Sequence, residues 1–182
     1  MRLLSVRGVR LLSLGLAVSS CALSAASASA ADVVLKYGES GGSYERSGIG
    51  VRLAPVWSDD WGGWDATLRP ELELSRFRYT GSRPGPDGLT QGGVIGILRL
   101  QRDGARVSPY AEVGLGAAML SRDRLGSREL STRFQFSQHV GLGVEFAAKW
   151  WLGWQYSHYS NADIEKPNDG LDVHQIVVGA RF

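Results

Sequence analysis

Three side chains near the C-terminus have the types and spacing for ester hydrolysis. His158 and Ser160 stand two residues apart in His158-Tyr159-Ser160-Asn161, and Asp172 follows a short loop that contains Pro167-Asn168-Asp169-Gly170. A serine hydroxyl is a weak nucleophile until a base takes its proton. An imidazole can take it, and a carboxylate on the other ring nitrogen fixes the tautomer and stabilises the imidazolium. The developing oxyanion then needs hydrogen-bond donors. The side-chain amides of Asn161 and Asn168, joined by loop N–H groups, are the candidates. A His-x-Ser pair alone is a weak signal, so the question becomes which elements hold these groups and on which face.

Period-two alternation runs through the chain, broken by Gly, Pro, Asp and Ser clusters. Trp150, Leu152, Trp154, Tyr156, His158 and Ser160 share one face of a predicted strand. Phe182, Ala180, Val178, Ile176, His174 and Asp172 share one face of the next. The clearest strand sets Phe134, Phe136, Val140, Leu142, Val144 and Phe146 against Gln135, Ser137, His139, Gly141, Gly143 and Glu145. Further strands are expected at Val33 to Glu39, from Gly48 to Trp57, at Trp64 to Tyr79, near Gly92 to Gln101, and at Pro109 to Met119. The third should change parity at a β-bulge by Ser75, turning Phe77 and Tyr79 outward with the apolar row. In the fourth the inward face is ambiguous, because Ile95 and Ile97 oppose Val94 and Leu98. Asp59-Asp60, Arg102-Asp103-Gly104 and Ala147-Ala148 are expected short turns. Gly81 to Gly88 and the polar stretch Ser121 to Ser131 are expected loops.

About eight strands of roughly ten residues match the span of tilted transmembrane strands. A soluble barrel or sandwich would show the same alternation with its apolar face inward. Three features favour an all-β, eight-stranded antiparallel transmembrane β-barrel. Residues 1–30 read as an export signal, with Arg2, Arg7 and Arg10, a short apolar run Leu11 to Val18, and Ala28-Ser29-Ala30 for cleavage. A lipoprotein box at Val18-Ser19-Ser20-Cys21 is the second choice. The non-apolar faces alternate small residues with paired charges, as a narrow lumen requires. The chain ends on Phe182 with apolar residues at every second position before it, which resembles the C-terminal assembly signal of bacterial outer-membrane proteins. Arg52, Arg69, Glu71, Glu73, Arg99, Glu112 and Glu145 would then fill the lumen as ion pairs. Trp57, Trp61, Trp64, Trp150, Trp151 and Trp154 would form an interfacial girdle.

Residues 31–182 would form the barrel. Removing the signal leaves 17 Lys and Arg against 18 Asp and Glu, a net charge near −1. No basic run suggests nucleic acid. Cys21, the single cysteine, lies in the signal, so neither a disulfide nor a thiol nucleophile is expected. No spacing of His, Asp or Glu matches a metal site, and no cofactor is expected. His174 is a rival base without a serine beside it, and His139 is expected in the lumen. In an even-stranded barrel with periplasmic termini the long loops lie outside the cell. His158, Ser160 and Asp172 then sit at the outer end of two lipid-facing rows, where polar groups are costly and mark function.

His158-Tyr159-Ser160-Asn161-Ala162 with Pro167-Asn168-Asp169-Gly170 resembles the lipid A 3-O-deacylase (PagL) family of Gram-negative outer membranes. The resemblance implies an eight-stranded barrel that hydrolyses the ester-linked 3-hydroxyacyl chain at position 3 of lipid A. It implies His158 as base, Ser160 as nucleophile and Asn168 as an oxyanion donor. Asp172 stands where the family usually has glutamate, one methylene longer. Asp163, in the loop that would bind oxyanion and substrate, stands where the family tends to have glycine, and a charge there is expected to slow the reaction or change the loop. The implied partners are lipid A in the outer leaflet and the membrane itself, with a homodimer left open. A phospholipase- or acyltransferase-type barrel and a non-catalytic adhesin or structural barrel remain the alternatives.

Overall fold

Eight strands close into an antiparallel barrel in the computed structural model, which describes residues 31–102 and 106–182. The export signal, the Cys21 alternative and the turn residues Asp103-Gly104 lie outside the described residues. The elements are β1 (Asp32–Ser40), β2 (Tyr44–Arg52), β3 (Trp57–Asp60), β4 (Trp64–Tyr79), β5 (Gly88–Arg102), β6 (Val107–Leu120), β7 (Arg124–Leu125), β8 (Arg128–Glu129), β9 (Phe134–Phe146), β10 (Trp150–Ser160) and β11 (Leu171–Arg181). The ring runs β1-β2-β4-β5-β6-β9-β10-β11, and β11 returns to β1. Closure leaves no free edge, so the wall can satisfy its backbone polar groups without water.

Side-chain exposure decides which face is wet. The outward rows are apolar and bare: Leu115 is 72% exposed, Leu142 57%, Val94 57% and Ile176 53%. The inward rows are polar and covered: Glu71 is 0% exposed and Arg52 1%. A soluble barrel has the reverse arrangement. A continuous exposed apolar band around a polar interior is the signature of a barrel in lipid.

The lumen is one ion-pair network. Lys36 Nζ lies 2.6 Å from both Glu71 and Glu73. Arg46 pairs with Glu73. Arg52 bridges Glu71 at 2.8 Å and Glu112 at 3.1 Å, and Arg99 joins Glu112 at 2.9 Å. Arg181 reaches Glu145 at 3.2 Å, and Arg69 pairs with Asp32. All seven charges expected inside are there, together with Lys36, Arg46, Asp32 and Arg181, which the sequence reading did not name. Small residues leave room for large inward ones. A Cβ at Gly179 would fall 2.0 Å from the Trp151 ring.

Several expectations are corrected. Strand β4 pairs with β2 and β5 in unbroken register through Ser75, with no bulge. Phe77 therefore stays inward, 1% exposed, edge-on to Tyr159 at 5.7 Å and under the Arg46 guanidinium at 5.5 Å. Tyr79 is partly buried beside Tyr44, while Arg76 and Arg78 take the outside. In β5 the inner row is Ile95 and Ile97, at 0% and 1% exposure. Trp151 is not part of a girdle. It points into the lumen, 1% exposed, with Arg99 and Arg52 over its ring at 5.0 and 5.7 Å. The second predicted strand breaks after Arg52, and β3 resumes at Trp57 as a short hairpin with β4. Asp59 and Asp60 end β3, and the turn itself is Trp61-Gly62-Gly63. The stretch 121–131 is not simply a polar loop. It folds into the β7–β8 hairpin and buries Leu125 and Leu130 completely. These two pack with Phe77, Leu89, Tyr159, Leu171 and Val173 as an apolar plug under the long loops.

Truncating one lumen carboxylate tests how far the wall depends on its filling. Glu73→Ala removes a partner from Lys36 and Arg46 at once, and breaking a buried pair costs about 3–5 kcal/mol. Unfolding of the refolded barrel in urea with detergent, followed by heat-modifiable gel mobility, should show that loss. A variant as stable as the parent would mean that these pairs do not hold the wall.

Candidate active site

The site is built on the last hairpin. Strands β10 and β11 pair antiparallel, with His158 opposite Asp172 and Tyr156 opposite His174. The even-numbered residues of both strands face outward, so His158, Ser160 and Asp172 project from the same side of the wall, at its loop end.

His158 Nδ1 lies 2.7 Å from Asp172 Oδ1. That contact follows from register. Directly opposed residues bring their Cβ atoms within about 4.5–5.5 Å, so an aspartate reaches where a glutamate would otherwise be expected. The Tyr156 hydroxyl donates to the same Oδ1 at 2.5 Å. Tyr156 was expected only as one of the apolar row; its position two residues before His158 on the same face was the signal that could have found it. Asp172 thus accepts two hydrogen bonds and is held toward the ring.

Ser160 is nearly covered, at 9% exposure. Residues two apart on one strand face are separated by roughly 6.5–7 Å at Cα. Among the described residues no hydrogen bond joins Ser160 Oγ to His158. Catalytic hydrogen bonds in a free enzyme are often long and tighten with substrate. The two side chains do converge on Gly170. A Cβ there would lie 3.4 Å from His158 Cε1 and 3.9 Å from Ser160 Cβ, and the φ of +61° is one that glycine adopts readily.

The loop 161–170 carries the remaining candidates. Asn161 is fully buried, and its amide nitrogen donates to Leu130 O at 3.1 Å and Glu165 O at 2.8 Å. Both of its amide hydrogens are therefore committed to holding the loop. Asn168 Oδ1 accepts from the Asn161 N–H at 3.3 Å, and its Nδ2 donates to Asp163 Oδ1 at 3.2 Å. Its second amide hydrogen has no partner among the described residues. Asp163 adopts φ +62°, the left-handed region where glycine is at ease. The Asn168 amide first, and Lys166 second, hold its carboxyl below the usual carboxylate range.

The β7–β8 segment braces that loop. Arg128 Nη1 donates to Gly170 O at 2.8 Å. The Glu129 N–H donates to Asp169 Oδ2 at 2.8 Å, and the Asp169 N–H returns to Glu129 O at 3.1 Å. Ser131 Oγ donates to Pro167 O at 2.5 Å.

Two other histidines are placed elsewhere. His174 is outward and stacked on Trp154 at 5.7 Å, within an aromatic row that includes Tyr156. His139 Nδ1 lies 2.7 Å from Ser157 Oγ, a hydrogen-bonded histidine–serine pair. That pair is sealed in the lumen, with His139 2% and Ser157 0% exposed, so no lipid reaches it. Among the described residues no cluster of three or more His, Cys, Asp or Glu could hold a metal ion.

The arrangement is similar to known proteins along most of the chain. Residues 45–181 match the family described as lipid A 3-O-deacylase (PagL). The lipid A deacylase PagL of Bordetella bronchiseptica is 34% identical over 165 residues, covering 90% of each chain. That of Pseudomonas aeruginosa is 28% identical over 169 residues, covering 92% of this chain and 95% of the relative. Among solved structures, the crystal structure of the outer membrane enzyme PagL superposes with a TM-score of 0.75 at 23% identity, covering 82% of this chain and 98% of that one. That likeness supports the fold.

The loop's anchoring can be tested apart from chemistry. Asn161→Ala leaves the Glu165 carbonyl without its side-chain donor and cuts the tie to Leu130 O, which keeps the Thr132 N–H at 2.7 Å, and a lost buried hydrogen bond costs about 1–3 kcal/mol. Limited proteolysis within 161–170 should quicken while the barrel keeps its heat-modifiable mobility. Unchanged cleavage would show that Asn161 does not hold the loop.

Proposed function

The chain belongs to the lipid A 3-O-deacylase (PagL) family and is an outer-membrane β-barrel, and from that premise we propose that it hydrolyses the 3-hydroxyacyl ester at position 3 of lipid A with Ser160, His158 and Asp172. The observation that carries this reading is the outward His158–Asp172 contact at 2.7 Å with Ser160 on the same face. A triad on the outward face of the wall, with His158 and Asp172 partly exposed, suits an ester whose chains stay in lipid while its sugar lies at the surface.

In the first step His158 Nε2 takes the Ser160 proton as Oγ attacks the ester carbonyl. Asp172 keeps Nδ1 protonated, so that Nε2 is the basic nitrogen, and stabilises the imidazolium. The free amide hydrogen of Asn168 and N–H groups of the loop around Asp163 stabilise the oxyanion. Collapse breaks the bond between the acyl carbon and the sugar 3-oxygen, and His158 returns the proton to that oxygen. Water, deprotonated by His158, then attacks the acyl carbon; the bond to Ser160 Oγ breaks, His158 returns the proton to Oγ, and the 3-hydroxy fatty acid leaves. Asn161 acts in this scheme by shaping the loop, because its amide is committed to Leu130 and Glu165. Tyr156 acts by positioning Asp172.

Lipid mass spectrometry of a reporter bacterium tests the assignment. The wild-type chain should remove one 3-hydroxyacyl group from lipid A. Ser160→Ala and His158→Ala should lower the rate by more than about 10³-fold, and Asp172→Asn by about 10²–10⁴-fold, in line with other triads. Lysophospholipid with intact lipid A would instead favour a phospholipase, and unchanged lipids in both pools would leave a non-catalytic barrel.

A further inference from the structure

A cleft of about 740 Å³ opens at the loop rim beside the site. Its walls come from the β1–β2 turn, the β4–β5 loop, the β7–β8 hairpin and the start of β11. Asp172 lines it, so the cleft and the ester site share one side chain. We propose that this cleft binds the phosphorylated sugar headgroup of the substrate, with Arg83 and Arg128 facing a phosphate; the proposal rests on the lipid A reading and names where the headgroup sits.

The chemistry of the walls argues for such an occupant. Tyr44, 6% exposed beneath the Arg128 guanidinium, and the half-buried Tyr79, 5.0 Å from it, form the floor of the cleft. Ser43 and Ser82 add hydroxyls for sugar oxygens, while the Ser127 hydroxyl is paired with that of Tyr44 at 3.3 Å. Arg128 lies over the Tyr44 ring at 4.9 Å and spends one nitrogen on Gly170 O, which leaves the rest of its fork free. The Arg83 side chain has no ion-pair partner among the described residues. Guanidinium forks match phosphate oxygens in pairs. Two acids also line the cleft, but both are engaged. Asp169 Oδ2 accepts from the Glu129 N–H, and Asp172 Oδ1 accepts from Tyr156 and His158. Those bonds leave both carboxylates ionised, so the two acids balance the two arginines, and a phosphate would be held by the directed guanidinium forks rather than by a net positive charge.

Position supports the same occupant. The outward apolar rows of β10 and β11 run from Asp172 and His158 down the lipid-facing wall. Acyl chains of a lipid held at Ser160 would follow those rows, and its headgroup would then stand at the rim. Arg128 would do two things at once: it would touch the phosphate and steady the Gly170 carbonyl beside His158 and Ser160.

Binding can be measured without turnover. Ser160→Ala protein in detergent micelles is titrated with diphosphorylated lipid A, with its dephosphorylated counterpart and with phosphatidylglycerol. Adding Arg83→Ala should weaken binding of the diphosphorylated form by about tenfold, as loss of a charge-assisted contact does, and leave the dephosphorylated form unchanged. Arg76→Ala removes an equal charge from the outer wall and should change neither. An equal loss on both lipid A forms, no loss on either, the same loss with Arg76→Ala, or an equal Arg83 effect on phosphatidylglycerol would overturn the proposal. Phosphate-dependent binding by a chain whose wild type releases no fatty acid would sink the hydrolase reading and leave this site standing.

Discussion

The ion pairs that fill the barrel fix everything outside it. Lys36, Arg46, Arg52, Glu71, Glu73 and Glu112 cannot face lipid, because an unpaired charge there costs several kcal/mol. Once they turn inward, the two-residue period leaves every neighbour no choice of side. The wall closes over them, and the apolar rows take the outside. His158, Ser160 and Asp172 inherit their outward placement from Gln155, Ser157 and Gln175, which lie between those rows and the lumen network. A one-residue slip of β10 would send the histidine inward and Tyr159 out.

Alternation made most of this legible before any coordinates. The eight strands, the seven lumen charges and the outward row of the final hairpin could all be read from residue types at every second position. The reading failed where residue type and side disagree. Trp151 and Phe77 are aromatic and were assigned to lipid, yet they serve as lids on arginines, because a guanidinium in a narrow lumen gains from an aromatic face. Parity alone contained the answer: Phe77 sits two steps from Ser75 and four from Glu73, both inward. Period, not residue type, decides the side at both positions. Leu125 and Leu130 were hidden for a different reason. They lie in a loop with no period to read, and only the packing of the plug shows what they do.

The site divides along the same line. Its proposed acid and base come from strands and are set by register, which is why Asp172 meets His158 despite its shorter side chain. Its proposed oxyanion donors come from a loop, and loops vary more than the elements they connect. Asn161 and Asn168 look alike in sequence, each an amide near the serine. One is bound to two carbonyls and the other keeps a hydrogen. Nothing in the spacing distinguishes them, because the carbonyl of Leu130 arrives from thirty-one residues away.

The lumen pair His139–Ser157 shows why contact is a poor guide on its own. It has the hydrogen bond that His158 and Ser160 lack, and it lies in the dry interior of a closed ring. An esterase needs its nucleophile where the ester is, and an ester in the outer leaflet meets only the outer face of the wall. The outward pair is looser, and Gly170, with no side chain, lets His158 and Ser160 approach the same point of the loop. The brace from Arg128 and Ser131 then compensates for the looseness: it ties the loop to the β7–β8 hairpin, whose leucines are locked in the plug. Rigidity thus passes from the plug, through the hairpin, to the loop 161–170, while the strands set the proposed triad. The two routes meet at Gly170, bonded to Arg128 on one side and packed against His158 and Ser160 on the other.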